Sequence, residues 1–157
     1  MKQIITLLSV VLITAPVFSQ TNHNRKNPDT MKLNAGIITE KIAESKKFYT
    51  EILNFGVTFE NEFYLLLHTP NHKNNLAFML PEHPTQQPIF HKPFAGQGMF
   101  ITIEVEDVDK IYEALKAKNV EITVDIRDEP WGDRHFAIVD PNGIGIDLVT
   151  YTAPEQG

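Results

Sequence analysis

The sequence has no cysteine, a single tryptophan and fewer basic than acidic residues. Without cysteine the protein has no disulfide, no cysteine-ligated zinc, no iron–sulfur cluster and no thiol nucleophile. Because 14 Lys and Arg are set against 20 Asp and Glu, the formal net charge is −6. That charge argues against a nucleic-acid partner, since phosphates require a basic surface. What remains is a chain of 157 residues, 42% of them hydrophobic, which is typical of one globular domain.

Long apolar runs are also absent, except for one near the N-terminus. There Lys2 precedes an apolar run over residues 4–13, and residues 17–19 offer a cleavage site with small side chains. This order is typical of a secretory signal peptide, and the run is too short to cross a bilayer as a helix. We therefore expect a signal peptide at 1–19 and a flexible linker at 20–31. The protein should be periplasmic or secreted, with no membrane span once the leader is removed.

The rest of the chain repeats one order of elements twice. In the first half, helical spacing over 40–54 is flanked by strand-like stretches at 32–39, 56–60, 63–69 and 75–80. In the second half, helical spacing over 107–118 is flanked by strand-like stretches at 99–105, 120–126, 134–139 and 144–151. A proline-rich connector at 81–97 separates the halves. We expect this connector to be exposed to solvent, with a cover over the interior as the alternative.

The repeat predicts an α+β domain over residues 32–152, followed by a tail at 153–157. The domain consists of two tandem βαβββ modules, residues 32–81 and 98–152. One such module cannot bury its sheet face alone. The two modules are therefore expected to form a curled mixed β-sheet cup with the helices outside.

Three segments carry a family resemblance. They are SKKFYTEILNFGV (45–57), VEDVDKIYEALKAKNVEI (105–122) and EPWGDRHFAIVDPNGIGIDLV (129–149). Together they resemble the vicinal oxygen chelate superfamily, which includes glyoxalase I, extradiol dioxygenases, fosfomycin-resistance enzymes and bleomycin-resistance proteins. Residues 131–136 look like the Trp-Gly-x-Arg-Glu-Phe segment of the bleomycin-resistance branch, with His135 where that branch usually has Glu.

The resemblance also implies where a metal would be held. Enzymes of the superfamily bind a divalent metal with His, Gln or Glu at matching strand positions of the two modules. These positions carry over to Asn34, Met79, Phe100 and Asp147. Only Asp147 is a good ligand for a hard divalent ion, so we expect no metal and no cofactor. The substitutions argue against an enzyme without excluding one, no catalytic residue is identified, and a one-residue error in strand register would change these identities.

Strand alternation predicts which side chains line the cup. The wholly apolar face of each strand should pack on the helices, and the mixed face should look inward. The candidate ligand-binding residues are Asn34, Phe100, Thr102, Glu104, Trp131, Arg134, His135 and Asp147. Two carboxylates in one hollow of an acidic chain would favour a cationic or hydrogen-bond-donating ligand. The alternative is that Glu104 and Asp147 pair with Arg127, Arg134 or His135 and only hold the sheet together.

Three functions are compatible with these observations. The leading hypothesis is an exported, metal-free protein that binds a small ligand, cationic or hydrogen-bond-donating, in its cup. The resemblance also implies a homodimer with the cups at its interface. The first alternative is a metal-dependent lyase or dioxygenase of the glyoxalase type. The second is a structural or interaction domain whose cup is filled by its own side chains, such as Phe100 and Met79.

Overall fold

The computed structural model describes residues 32–152. The signal peptide, linker and tail expected at 1–19, 20–31 and 153–157 lie outside the described residues. None of the helices within 32–152 is long and apolar enough to cross a membrane.

Each half of the described chain contains four strands and one main helix. The first half comprises β1 (Asn34–Ile38), α1 (Ile42–Lys47, continued by a π-helical turn at Phe48–Ile52), β2 (Gly56–Glu60), β3 (Tyr64–His68) and β4 (Asn75–Met79). The second half comprises β5 (Phe100–Glu104), α2 (Val108–Ala117), β6 (Val124–Asp128), β7 (Asp133–Val139) and β8 (Gly145–Tyr151). A short 3-10 turn at Pro88–Phe90 lies in the connector between them.

The two halves have the same sheet topology. The first sheet has the order β1-β4-β3-β2 and the second has the order β5-β8-β7-β6. In each sheet the first and last strands of the module pair in parallel, and the other pairs are antiparallel. This arrangement confirms the α+β fold of two βαβββ modules with curled mixed sheets.

Strand β6 begins later than the alternation predicted, at Val124 rather than at residue 120. The left-handed conformation of Asn119 (φ 58°) ends α2, and the Val120 amide still donates to the Leu115 carbonyl. The residues directly after the helix therefore belong to its C-terminal cap, and the first bond to β7 is made by the Thr123 amide.

Helix α2 shows how the helices cover one face of each sheet. The Asp107 side chain caps its first turn by accepting from the Lys110 amide (2.9 Å). Val108, Tyr112 and Leu115 recur at helical spacing and are buried. The Tyr112 ring packs edge-to-face on Phe136 of β7, with the ring centroids 5.2 Å apart.

The helix-facing side of the sheets forms the core. Alternate strand residues on this side are fully or almost fully buried, including Ile37, Leu65, Leu67, Phe78, Phe136, Ile138, Ile146 and Leu148. We call the opposite side of each sheet its open face. On the open face of the second sheet, Phe100 is 72% exposed, and Thr102 and Glu104 are exposed beside it.

A turn of the second module holds the two modules together through polar contacts. The Asp140 carboxylate is buried, and its oxygens accept from the backbone amides of Asn142 and Ile144, the Asn142 side-chain amide and the Tyr49 hydroxyl of the first module. Every lone pair that burial removes from water is thereby used. Burial and the nearby Asp140 carboxylate together raise the pKa of the Tyr49 hydroxyl far above its ordinary value, so it stays a donor.

The Tyr49→Phe variant should lower the free energy of unfolding by ~1–2 kcal/mol, because the buried Asp140 carboxylate loses one donor. Urea unfolding followed by far-UV circular dichroism measures the change. Tyr151→Phe is the matched control, since Tyr151 is 55% exposed and should change stability by less than ~0.5 kcal/mol. Equal effects of the two variants would contradict a structural role for the Tyr49 hydroxyl.

Candidate functional site

The open face of the second sheet carries five of the expected site residues. Residues directly opposite each other on neighbouring strands point to the same face. From β5 across to β6, one row of paired residues reads Glu104, Val149, His135 and Arg127. The adjacent row reads Thr102, Asp147, Ala137 and Val124. Thr102, Glu104, His135 and Asp147 therefore share this face, and Phe100 lies on it one step further along β5.

His135 is held between two carboxylates on this face. Its Nδ1 atom lies 2.7 Å from Asp147 Oδ1, and its Nε2 atom lies 3.2 Å from Glu129 Oε1. Arg127 lies 2.6 Å from the same Glu129 oxygen. These four residues form a chain of alternating charge, which we call the ion-pair chain. Glu129 and His135 are its least exposed members, at 12% and 17% of their side-chain area.

The ion-pair chain favours the protonated imidazole. Burial lowers the pKa of His135, but the hydrogen bonds to Asp147 and Glu129 outweigh it and raise that pKa above its ordinary value of 6.5. The hydrogen bond from His135 lowers the pKa of Glu129 in turn, despite partial burial. Only the imidazolium can donate from both nitrogens, so deprotonation leaves one of the two carboxylates without its partner.

Arg134, which is also among the expected ligand-binding residues, lies on the opposite face of β7 from His135. Consecutive strand residues point to opposite faces, so Arg134 turns toward α2. There its guanidinium binds both carboxylate oxygens of Asp109 (2.6 and 2.8 Å) and one of Asp128 (2.9 Å). These bonds raise the pKa of Arg134 further and keep the Asp109 carboxyl pKa low. Arg134 thus anchors β7 to the helix.

Trp131 and Asn34 make no hydrogen bond to a side chain of the ion-pair chain. Trp131 lies in the turn between β6 and β7, is 63% exposed, and donates from its indole nitrogen to Asp133 (2.9 Å). Asn34 lies on the open face of the first sheet, in a row with Asn75 and His68.

Glu129 is a member of the ion-pair chain that sequence reasoning did not identify. It follows β6 directly, outside any ladder pair, and reaches His135 because Arg127 and His135 are paired across the strands. A β6–β7 hairpin assignment that ended at Asp128 would have placed Glu129 close to His135. Because β6 was expected to end at residue 126, Glu129 was not placed beside His135.

The ladders also correct one of the metal-ligand positions carried over from the resemblance. Thr102 pairs with Asp147 in the second module, and its counterpart Gly36 pairs with Ala77 in the first. The counterpart of Asp147 is therefore Ala77 rather than Met79. The reason is that Gly143 and Ile144 remain bonded to Asp140 within the turn, so the β8 ladder begins only at Gly145.

The four positions thus become Asn34, Ala77, Phe100 and Asp147, and they do not fit a divalent metal. They offer one carboxylate and one amide, and the Asp147 carboxylate already accepts from His135. A hard divalent ion needs several oxygen or nitrogen ligands converging on one point. Within residues 32–152, no group of three or more His, Asp or Glu is placed to hold a metal.

The open face of the first sheet has a different character. Its ladder rows place Gly36, Ile38, Leu66, Ala77 and Met79 beside the Phe59 and Tyr64 rings, whose centroids are 6.4 Å apart. The connector runs beside this sheet, because the Phe94 amide donates to the Ile38 carbonyl (2.8 Å). A cavity of about 180 Å³ lies there, with Lys92 at its edge. Apart from the polar row of Asn34, Asn75 and His68, this face is therefore apolar and aromatic, whereas the open face of the second sheet carries the charges.

The His135→Gln variant should be less stable than the wild type at acidic pH, and the difference should shrink as pH rises. A raised folded-state pKa means that the stabilisation is complete below the ordinary value of 6.5 and is lost as pH rises through the folded-state pKa. The midpoints of urea unfolding of both proteins, measured from acidic pH to above the folded-state pKa, give the difference in stability. A difference that is constant or grows with pH would contradict the ion-pair chain.

Two sequence comparisons bear on this arrangement. The model of the Glyoxalase/Bleomycin resistance protein/Dioxygenase superfamily matches residues 33–148, which is nearly all of the described chain. A comparison with curated proteins finds no match.

Solved structures show the same fold at low sequence identity. A glyoxalase/bleomycin resistance protein/dioxygenase from Nocardioides has a TM-score of 0.65 at 20% identity, with 81% of this chain and 86% of that chain covered. A lactoylglutathione lyase from Agrobacterium tumefaciens has a TM-score of 0.64 at 16% identity, with coverages of 78% and 95%. A bleomycin-binding protein complexed with bleomycin has a TM-score of 0.57 at 20% identity, with coverages of 78% and 100%. At these identities the likeness concerns the fold alone.

Proposed function

Because the chain belongs to the glyoxalase/bleomycin resistance protein/dioxygenase superfamily, we propose that it binds a small organic cation on the open face of its second sheet, without a metal ion. The observation that carries this proposal is the placement of the exposed Glu104 carboxylate on the same face as the ion-pair chain. A relative of the same fold is a bleomycin-binding protein complexed with bleomycin, which supports a binding role.

Charge arithmetic supports a cationic ligand. With His135 protonated, Arg127 and His135 balance Glu129 and Asp147. Glu104 and Asp133 remain as negative charges on the same face, and within residues 32–152 neither makes an ion pair. An ammonium or guanidinium group near Glu104 would neutralise its charge.

The neighbouring side chains support an apolar body on the ligand. Phe100 is 72% exposed and points to the same face as Glu104 on β5. An exposed ring beside a carboxylate can stack on a flat or aliphatic body while the carboxylate binds its charged end. An amphipathic cation therefore fits better than a small inorganic one.

A second copy of the chain would turn this open face into a cup. Phe59, Phe100 and Val139 are exposed large apolar side chains on open faces, and such groups favour association. We propose a homodimer in which the open faces of two copies contribute to each binding site. The leader at 1–19 further leads us to propose export to the periplasm or beyond, where the secreted protein would start after Ser19.

The Phe100→Glu variant should weaken the dimer by at least ~30-fold, because a charge would replace an apolar contact of the interface. Light scattering during size-exclusion chromatography at micromolar concentration measures the mass. Ile89→Glu is the matched control, since Ile89 is 81% exposed in the connector and should leave the dimer intact. A monomeric wild type would exclude the proposed dimer.

Glu104→Gln should weaken the binding of organic cations by about fivefold, which is the value of one exposed ion pair. Isothermal titration with bleomycin and with a series of alkylammonium ions measures the loss, in the presence of a chelator. Glu113→Gln on the exposed side of α2 is the control and should leave affinity unchanged. No loss in Glu104→Gln would place the ligand elsewhere.

Separate titrations with Mn²⁺, Zn²⁺, Ni²⁺ and Fe²⁺, without a chelator, discriminate the other functions. Stoichiometric binding of a divalent metal that is lost in Asp147→Ala would favour a metal-dependent lyase or dioxygenase. The absence of binding by any probe, together with a stable fold, would favour a structural or interaction domain.

A further inference from the structure

The sequence contains one Asn-Gly step, Asn142-Gly143, and it lies in the turn that joins the modules. At such a step the backbone nitrogen of the glycine can attack the asparagine side chain, since glycine has no Cβ to hinder the approach. Gly143 is exposed and adopts a left-handed conformation (φ 83°), whereas Asn142 is partly buried.

The fold restrains both partners of this reaction. The Asn142 oxygen accepts from the Thr39 hydroxyl (2.6 Å), and its nitrogen donates to the Ser45 hydroxyl (2.9 Å) and to Asp140 (3.0 Å). The Gly143 amide donates to the Asp140 carbonyl (3.0 Å). Attack requires the Gly143 amide to lose its proton beside the Asp140 carboxylate, whose negative charge opposes a second one.

We propose that Asn142 is a deamidation site that is protected while the modules are joined and reacts when they separate. The Gly143 nitrogen forms a bond to Cγ of Asn142, the bond from Cγ to Nδ2 breaks, and ammonia leaves with the Gly143 proton. Water then opens the cyclic imide at either carbonyl and gives aspartate or isoaspartate. The step needs no oxidant, reductant or cofactor.

The product would keep the modules apart. A carboxylate at position 142 lacks the amide hydrogens that donate to Ser45 and Asp140. It would also lie within hydrogen-bond distance of the buried Asp140 carboxylate, and the two negative charges would repel each other. Isoaspartate adds a methylene to the backbone of a tight turn. Deamidation would thus make one separation of the modules irreversible, whereas separation without deamidation is reversible.

The rate of amide loss at Asn142 tests the proposal. The full chain is incubated at mildly alkaline pH, native or in urea, and peptide mapping quantifies aspartate and isoaspartate at position 142. We expect the native rate to be about a hundredfold below the urea rate, since three side-chain hydrogen bonds must break at about fivefold each. Equal rates in the two conditions would overturn the proposal.

Variants of the restraints give a second test. Thr39→Val and Ser45→Ala should each accelerate native deamidation by about fivefold, while their rates in urea match the wild type. Thr50→Val is the matched control, because its hydroxyl donates within α1 to the Lys46 carbonyl and does not touch Asn142. Circular dichroism confirms that each variant is folded. Unchanged rates in folded Thr39→Val and folded Ser45→Ala would overturn the proposal.

Discussion

The buried carboxylate of Asp140 joins the two modules, and the geometry of the candidate site depends on it. A carboxylate that is 4% exposed is tolerated only when its lone pairs are used, and here the donors come from its own turn and from Tyr49 of the first module. The same bonds delay the start of β8 until Gly145. Asp147 is therefore placed on the open face, opposite Thr102 and within reach of His135.

The two modules have the same backbone topology but differ in the chemistry of their open faces. Tyr64 takes the place of His135, and Ala77 takes the place of Asp147, by their positions in the ladders. The first sheet thus presents mainly apolar and aromatic side chains beside the polar row of Asn34, Asn75 and His68, and the second sheet presents the ion-pair chain. A cup assembled from one face of each kind would have an apolar wall and an acidic wall, which suits an amphipathic cation.

Local patterns in the sequence predicted most of the fold and part of the site. Strand alternation placed Thr102, Glu104, His135 and Asp147 on one face, because side-chain direction depends only on the strand itself. Met79 was misassigned because the ladder start depends on bonds inside the turn at Asp140. Glu129 was missed because its contact with His135 crosses a hairpin whose boundary the sequence places too early. The residues that were placed correctly depend on the alternation within one strand. Met79 and Glu129 depend on how distant strands pair, which alternation does not encode.

The proposal on which the others depend is that organic cations bind to the open face of the second sheet without a metal ion. Nuclear magnetic resonance of the labelled protein, titrated with an alkylammonium ion in the presence of a chelator, tests it most directly. We predict saturable chemical-shift changes at Thr102, Glu104, His135 and Asp147, with little change on α2. Shifts that appear only after a divalent metal is added, or that lie away from this face, would contradict it.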